Sequence, residues 1–436
     1  MVTTNDVLDS LSARLDEAQS PLARLDAYYE GRQPAAFLSS RSKDALDGRL
    51  KALSVNVPRL LVNSVAERLQ VTGFRGIGDE AADPALWAVW ERNDLSTQSR
   101  LAHVDSLAYG RSYVIVWAGP DGAPLVTVES ARQVITAHDP ATGVVTAAVK
   151  RWEDDKRHHA VLYLPDEIVR YQGKENALNV VERIPNPLGE VPVVPIVNRS
   201  RLLDVYGSSE MTDILDLSDA LNKVMADAMV TSEFFARPRR WVTGLEVAED
   251  EAGNPVNPFS SEQDRVWQSE NPDTKFGQFD AARLDGYGDL SAVLTQQIGA
   301  ISGLPPHYLG LNGDQPPSAD AIRSAEASLV AKVTGKQRMY GRAWAKVADL
   351  ILKVRDGRND RDVETLWASP ETRTPGQLAD AALKLSQMGV PLAALLANPL
   401  GYSPAEIAQI TAQRRAEALD KIGADLSAFL VEDPAQ

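Results

Sequence analysis

The stretch "ISGLPPHYLGLNGDQPPSADAIRSAEASLVAKV", residues 301–333, joins a loop rich in proline and glycine directly to a helical pattern. Four prolines and three glycines lie within residues 303–317, where Asp314 is the only acidic residue and no lysine or arginine occurs. Proline restricts the backbone, whereas glycine allows turns that other residues adopt at a cost. The pattern therefore predicts a stiff, weakly charged loop set against the start of a helix.

That helix is predicted over residues 318–356, because apolar residues recur there every three or four positions. At roughly 1.5 Å per residue it would reach about 57 Å. Such a length exceeds that of the usual helix in a compact domain. Gly335 and Gly341 lie in its middle, and two glycines inside a helix indicate a kink.

The composition is that of a folded protein: of 436 residues, 44% are hydrophobic and 24% are charged. The chain has no cysteine, which excludes a disulfide framework, a thiolate nucleophile and a cysteine-based zinc site. The net charge of -15 argues against a broad basic surface that binds phosphates tightly. It is compatible with a passage through which a polyanion slides.

Neither a secretion signal nor a membrane span is expected. The first residues carry acids where a signal peptide has a basic region, and no apolar core follows them. The longest nearly uncharged apolar stretches are far shorter than the roughly 20 residues of a spanning helix.

The order of elements predicts an α+β fold. Helices are expected over residues 5–30 and 55–70, and a continuous helical pattern runs from residue 86 to Gly110. Residues 111–200 then contain short runs rich in β-branched and aromatic residues, broken by turn residues, which predict a predominantly antiparallel β-rich segment.

Helical patterns return after residue 207. The segment 208–236 is amphipathic, with Ser208 or Ser209 as a candidate N-cap. Residues 237–283 are acidic and rich in turn residues, residues 284–302 are helical again, and residues 374–432 predict short helices. One face of the first helix is expected to be buried, and it carries Ile214, Leu217, Leu221 and Val224.

No catalytic, cofactor or metal site is predicted. The chain lacks a nucleotide-binding loop, a nucleophile elbow and a zinc-binding helix. His158 and His159 are adjacent in a predicted strand, so they point to opposite faces and are poorly placed to chelate one metal.

The most basic short patch consists of Arg237, Arg239, Arg240 and Trp241. Arginine beside an aromatic ring can hold a nucleic acid. A charged turn that packs against an acidic neighbouring subunit explains the same residues, and both interpretations stay open.

Five short segments, in this order along the chain, show a family resemblance: "YYEG" at 28–31, "PRLLVNSVAERLQVTGFR" at 58–75, "SEFFARPRRWVTG" at 232–244, "ENPDTKFGQF" at 270–279 and "ISGLPPHYLG" at 301–310. Together with the order of the elements, they resemble the portal proteins of tailed bacteriophages, the head-to-tail connectors, and in particular those of phages that infect actinobacteria.

The resemblance implies an α+β portal fold with a β-rich wing segment at 111–200, a mainly helical stem and a small clip. It divides the chain into a wing (1–207), a first stem helix (208–236), a clip (237–283), a second stem helix (284–302), a tunnel loop (303–317), a long kinked wing helix (318–356) and a crown (357–436).

It also implies a homo-oligomeric ring, usually a dodecamer, at one vertex of the capsid, with no cofactor. Double-stranded DNA would pass through the centre without sequence preference. The implied partners are the terminase large subunit, the scaffold and major capsid proteins and a neck adaptor, and the implied location is the virion, preceded by the host cytoplasm during assembly. The tunnel-loop residues implied to face DNA are His307, Tyr308, Asn312, Asp314 and Gln315.

Two alternatives remain at this level. One is another structural protein of the phage head or neck, although such a protein does not need two stem-like helices around an acidic segment. The other is a homo-oligomeric enzyme, which requires a catalytic constellation that the sequence does not display.

Overall fold

The computed structural model describes residues 3–34, 54–79, 82–155, 157–174, 177–235, 240–244, 271–278, 284–311, 318–357, 362–371, 375–397 and 399–431. The chain divides into two compact units. The first unit comprises Met1–Pro34, Asn56–Ser218 and Ile298–Gln436, and the second comprises Ala35–Val55 and Asp219–Gln297.

The described residues form ten α-helices. They are α1 (Thr4–Tyr29), α2 (Val57–Ala66), α3 (Pro84–Arg92), α4 (Leu95–Tyr109), α5 (Leu215–Phe235), α6 (Asp285–Ser302), α7 (Ala319–Asp356), α8 (Pro375–Gln387), α9 (Leu392–Ala397) and α10 (Pro404–Val431).

Local capping explains where several of these helices begin. Thr3 and Asp6 form a capping box at α1, in which each side chain binds the other residue's backbone N–H. Ser318 caps α7, since its Oγ accepts from the backbone nitrogen of Ala321 at 3.2 Å. The predicted long helix is thereby confirmed almost to the residue.

Twelve strands lie within the described residues. They are β1 (Val71–Gly76), β2 (Arg111–Ala118), β3 (Pro124–Ser130), β4 (Val134–His138), β5 (Val145–Asp154), β6 (Arg157–Tyr163), β7 (Glu167–Lys174), β8 (Ala177–Pro185), β9 (Val193–Val197), β10 (Arg240–Thr243), β11 (Lys275–Gln278) and β12 (Val363–Trp367).

The predicted β-rich segment is confirmed and consists of two antiparallel sheets. One has three strands in the order β3-β2-β9, and the other has five in the order β4-β5-β6-β7-β8. The five-stranded sheet joins sequential neighbours by short turns, which is the simplest way to connect antiparallel strands.

Helix α1 covers one face of the five-stranded sheet. Its Leu8, Leu11 and Leu15 recur at helical spacing and pack against Val149 and Leu162 of β5 and β6. All five side chains are buried. The amphipathic N-terminal helix therefore belongs to the core of the first unit.

The middle of α7 is buried in an aromatic cluster. The Trp344 ring lies 5.0 Å from that of Trp90 of α3, and its Nε1 donates to Nε2 of His103 of α4 at 2.8 Å. Tyr340, one turn earlier, stacks on His103 at 5.4 Å, and its hydroxyl oxygen accepts a hydrogen bond from Oγ of Ser106 at 2.9 Å. The long helix is thus fixed to the body by its central turns.

Strand β12, which the sequence patterns did not predict, pairs with the distant strand β1, for example Phe74 with Thr365. Thr365 Oγ1 also donates to the carbonyl of Gly341 at 2.9 Å. A Cβ atom at Gly341 would lie 3.1 Å from Nε1 of Trp367. The helix runs through Gly341 without a break, and the residue's role here is to let β12 approach.

Three sequence-based boundaries were wrong. The continuous helix expected from residue 86 to Gly110 is two helices, because Asp94 adopts a left-handed conformation (φ 51°) between them. The helix expected from Ser208 begins at Leu215 after a 3-10 turn, Thr212–Ile214, since Ser209 binds the backbone of Met211 and Leu107 instead.

The third concerns the C-terminal segment, where only short helices were expected. Pro375 and Pro404 do begin helices, but the last of these, Pro404–Val431, has 28 residues. A capping box at Ser403 and Glu406 starts it.

In the second unit the two helices are joined by a polar contact. The hydroxyls of Thr231 in α5 and Tyr287 in α6 lie 3.1 Å apart. Strands β10 and β11 form a two-stranded antiparallel sheet, with Trp241 opposite Gly277.

Candidate functional site

The loop that follows α6 starts at a residue that has to be glycine. Gly303 has φ 72°, and a Cβ atom there would lie 2.9 Å from Oγ of Ser328 in α7. Leu304 and Pro305 are buried, and Pro306–Leu309 form one 3-10 turn that ends at Gly310, also in a left-handed conformation. The first half of the loop thus has a fixed course against the long helix.

Tyr308 anchors this half of the loop to the body. Its hydroxyl oxygen accepts from Nη2 of Arg68 at 2.9 Å. The same nitrogen lies 2.8 Å from Oε1 of Glu326 in α7, and Arg68 Nη1 donates to the carbonyl of Pro370 at 2.8 Å. One guanidinium group therefore ties together the loop, the first turns of α7 and the segment after β12.

The ion pair at the centre of this network is shielded from water. The side chains of Arg68 and Glu326 are 12% and 7% exposed. Burial alone would lower the pKa of Arg68, but its hydrogen bonds to Tyr308 and Glu326 raise that pKa above its ordinary value. Removal of one partner from a buried pair leaves the other charge uncompensated, which costs about 3 to 5 kcal/mol.

A second network fixes the end of α6. Lys332 of α7 donates to the carbonyl of Ser302, the last residue of α6, and to Oε1 of Glu210, both at 2.7 Å. Lys336, one turn further, lies 2.8 Å from Oε2 of Glu210 and also binds Asn198. The lysine at the C-terminus of α6 satisfies a free carbonyl and complements the helix dipole.

Glu210 is charged at neutral pH in spite of its burial. Burial alone would raise the pKa of Glu210, but Lys336 and Lys332 lower that pKa to about 2. Its backbone nitrogen donates to the carbonyl of Leu107 at 2.8 Å, which ties it to α4. The end of α6, α7 and the residues before α5 are therefore joined at one carboxylate.

Apart from Tyr308, the residues of both networks were missed by the sequence patterns. A signal was present for one of them: Glu326 lies on the apolar stripe of α7, four residues after Ile322 and three before Leu329. A carboxylate on a buried stripe demands a cationic partner. No local pattern identifies Arg68 as that partner, because 258 residues separate the two.

Of the predicted tunnel-loop residues, the structure describes two. His307 is 25% exposed in its side chain, and its Nε2 lies 3.7 Å from Oε1 of Glu326, while Tyr308 binds Arg68 as described above. Asn312, Asp314 and Gln315 lie outside the described residues. That these five residues face DNA stays a prediction.

The predicted packing face of the first stem helix is largely buried. In the first unit, Ile214 is buried and Leu217 is half-buried. In the second unit, Leu221 and Val224 are buried, while Lys223 and Asp227 pair with each other.

The basic patch is only partly described. Arg237 and Arg239 lie outside the described residues, and of Arg240 only the backbone, at the start of β10, is described. Trp241 is 37% exposed, and its ring lies where a side chain at Gly277 would stand, 2.3 Å from a Cβ atom there. A role in binding nucleic acid stays a prediction.

Among the described residues, no cluster of three or more histidine or acidic side chains could hold a metal ion. Within the same part of the chain, no helix is both long and apolar enough to cross a bilayer. What the two networks can do is mechanical: they hold both ends of a loop on one body.

Comparison with known proteins identifies similar chains. Residues 8–418 match the family described as phage portal protein, SPP1 Gp6-like. The portal protein of Mycobacterium phage L5 is 33% identical over 402 residues, 87% of this chain and 81% of that protein. The portal protein of Mycobacterium phage D29 is 32% identical over 425 residues, 91% of this chain and 86% of that protein.

Two solved structures are also similar. A chain from the virion of a native gene transfer agent particle aligns with a TM-score of 0.46 at 14% identity, covering 84% of this chain and 94% of that one. A chain from the neck of an empty gene transfer agent particle aligns with a TM-score of 0.49 at 13% identity, covering 78% and 87%.

Proposed function

This chain belongs to the phage portal proteins, and on that premise we propose that copies of it close into a ring at one capsid vertex, through which double-stranded DNA enters and leaves the head. The family is structural and non-enzymatic, so the prediction that the chain is not an enzyme is confirmed. The chain is a structural protein of the virion neck.

One observation supports the proposed ring: the second unit exposes large apolar side chains along its helices. Met229 of α5 and Leu290 and Val293 of α6 are 44%, 48% and 52% exposed. Leu290 and Val293 are three residues apart and share a face of α6. A contact between copies removes such surface from water, at a gain of roughly 25 cal/mol per Å².

The composition of the loop fits a channel that must let DNA pass without binding it. Residues 303–317 contain no lysine or arginine, and each such contact with a phosphate would add salt-dependent affinity. The networks at Arg68 and Glu210 fix the ends of α6 and α7 from which the loop projects. A weakly charged loop whose first half and flanking helices are fixed constrains DNA by shape and leaves it free to slide.

The finer division of the chain is part of the proposal. The wing, two stem helices, clip, tunnel loop, long wing helix and crown retain the boundaries given above, with the first stem helix starting at Leu215. The second compact unit, Ala35–Val55 and Asp219–Gln297, contains most of the proposed stem and clip, which supports that division. Terminase, scaffold, major capsid protein and a neck adaptor are the proposed docking partners.

The experiment adds phosphate-binding groups to the loop and measures DNA packaging. Particles are assembled with Asn312→Arg/Gln315→Arg, and the control places two arginines on the exposed turn between β4 and β5, as Ala141→Arg/Val144→Arg. We expect rings and heads to form in both cases and the DNA content per head to fall only in the loop variant. Equal DNA content in the loop variant and the control would contradict a channel lined by this loop.

A further inference from the structure

The core between the two sheets of the first unit changes from apolar to polar at one end. Its apolar part contains Tyr113 and Ile115 of β2, Val134 of β4 and Leu22 of α1, all of them buried. Residues two apart in a strand share a face, as do residues four apart in a helix. The next residues on these inward stripes are therefore expected to meet at the end of the core.

Those residues are cationic or polar and form a cluster around Tyr206, which lies between β9 and α5. The stripes continue to Arg14 of α1, Arg111 of β2, and Thr136 and His138 of β4. Cζ of Arg111 and Cζ of Arg14 lie 5.0 Å and 5.2 Å from the centre of the Tyr206 ring. The His138 ring meets the same ring edge-on at 5.9 Å, and the Tyr206 hydroxyl donates to the carbonyl of Thr136 at 3.0 Å. We call these five residues the Arg111 cluster.

Arg111 is a buried arginine without a counter-ion. It is 8% exposed, and neither it nor Arg14 forms an ion pair with a residue that the structure describes. Its Nη1 donates to the carbonyl of Tyr206 at 3.5 Å, which is a weak contact, and its Nε has no hydrogen-bond partner within the described part of the chain. A buried charge is normally paired, because its transfer from water is costly.

Further polar atoms around Arg111 also lack partners. The hydroxyl oxygens of Tyr113 and Thr136 are buried, and neither side-chain oxygen makes a hydrogen bond with a described residue. Burial raises the pKa of Tyr113, and the nearby Arg111 and Thr136 act against that rise. A charged donor and two hydroxyls thus stand close together at the buried end of the cluster.

The other end of the cluster faces solvent and is positively charged. Arg14, His138 and Tyr206 are half-buried, and Arg199 beyond them is exposed. Burial lowers the pKa of His138, and the charges of Arg14 and Arg199 lower it further. A small anion approaching from solvent therefore meets an attractive potential on its way to Arg111.

We propose that the Arg111 cluster binds a small oxyanion of the phosphate or sulfate type. A guanidinium group presents a planar fork of N–H donors that matches two oxygens of such an ion, and the hydroxyls of Tyr113 and Thr136 supply further donors. A buried water would satisfy these hydrogen bonds but would leave the charge of Arg111 uncompensated. The bound ion ties α1, β2 and β4 together at the end of the core, and the site does not depend on the proposed ring.

Inorganic phosphate is the probe for a calorimetric titration of the full chain. We expect one ion per copy, and Arg111→Met should weaken binding at least about tenfold, because it removes the charged donor. Arg92→Met, at an exposed arginine, is the control and should bind phosphate as the unsubstituted protein does. Chloride at the same ionic strength should not compete, and equal competition by chloride would overturn the assignment to an oxyanion.

Thermal unfolding separates a ligand site from a packing role of Arg111. Phosphate stabilises many proteins by exclusion from their surface, so the informative quantity is the difference between variants. Phosphate should raise the unfolding midpoint of Arg92→Met clearly more than that of Arg111→Met, because only the former retains the site. Equal rises in the two variants would contradict the site.

The pKa of His138 gives a readout that needs no change at Arg111. A bound anion favours the charged imidazole, so the pKa of His138 should rise by about one unit or more when phosphate is added. Nuclear magnetic resonance follows this titration, and His138→Gln assigns the signal among the five histidines. A pKa of His138 that phosphate leaves unchanged, together with no calorimetric binding, would overturn the proposal.

Discussion

Nη2 of Arg68 lies 2.9 Å from the hydroxyl oxygen of Tyr308, although 240 residues separate the two in sequence. The same guanidinium binds Glu326 at the start of the long helix and the carbonyl of Pro370. A residue just after α2 thereby fixes the start of the loop between α6 and α7.

Tyr308→Phe should loosen the first half of the loop. The variant keeps the ring but removes the acceptor for Arg68, and a lost hydrogen bond to a charged group costs about 1.5 to 3 kcal/mol. We expect amide hydrogen exchange to rise about tenfold or more over residues 304–311. The control is Tyr402→Phe, at an exposed tyrosine, which should leave exchange in that segment unchanged. If Tyr308→Phe also leaves exchange there unchanged, the contact with Arg68 does not hold the loop.

Glu326→Ala should destabilise the fold more than any exposed ion-pair variant. It leaves the 12% exposed Arg68 without its carboxylate, at a cost of about 3 to 5 kcal/mol. Lys384→Ala breaks the exposed pair of Lys384 with Asp380 and should cost less than about 1 kcal/mol. Denaturant unfolding measures the free energy lost in each variant. Similar unfolding midpoints for Glu326→Ala and Lys384→Ala would show that the buried pair stabilises the fold no more than the exposed pair does.

Acid should destabilise the first unit through His103. Burial lowers the pKa of His103 to about 3, and its Nε2 accepts a hydrogen bond from Trp344, a position that a proton would occupy in the charged form. Between the ordinary pKa of about 6.5 and about 3, the unfolded chain binds one more proton than the folded one. Stability should therefore fall by about 1.4 kcal/mol for each pH unit below 6.5 from this group alone.

The matched variant for that pH profile is His103→Gln, whose amide oxygen can still accept from Trp344. Its stability at pH 5 relative to pH 7 should fall less than that of the unsubstituted protein, by about 2 kcal/mol. Thermal or denaturant unfolding at the two pH values supplies the comparison. Parallel losses in both proteins would mean that His103 is protonated in the folded state.

Two positions on α5 should separate folding from assembly. Leu221 is 4% exposed and Met229 is 44% exposed. Leu221→Asp places a charge in a packed site and should cost about 3 to 5 kcal/mol of stability. Met229→Asp should leave the folded copy intact, because its side chain already meets water, and should weaken the ring. Circular dichroism measures folding, and native mass spectrometry measures ring assembly. If Leu221→Asp leaves folding and assembly unchanged, Leu221 has no packing role in α5.

The elements that local chemistry specifies could be predicted from the sequence. Ser318 at the start of α7, the alternating strands between residues 111 and 197, and the prolines that begin α8 and α10 each carry their own signal. The five segments that resemble portal proteins predicted the family, and the comparisons confirm it.

The parts that failed depend on distant partners or on single backbone conformations. Asp94 breaks a helical pattern by one left-handed residue, and β12 forms only because β1, almost 300 residues earlier, offers it an edge. Arg68, just after α2, carries no local sign of its role, because its partner Glu326 is brought against it only by the fold. Such contacts could not be predicted from the sequence, because they leave no local pattern in it.

The most direct measurement of the central claim is the mass and projection image of the purified protein, by native mass spectrometry and negative-stain electron microscopy. The ring proposal predicts one closed species of about twelve copies with a central hole. A species that stays a monomer or dimer at high concentration, with and without the scaffold protein, would contradict it.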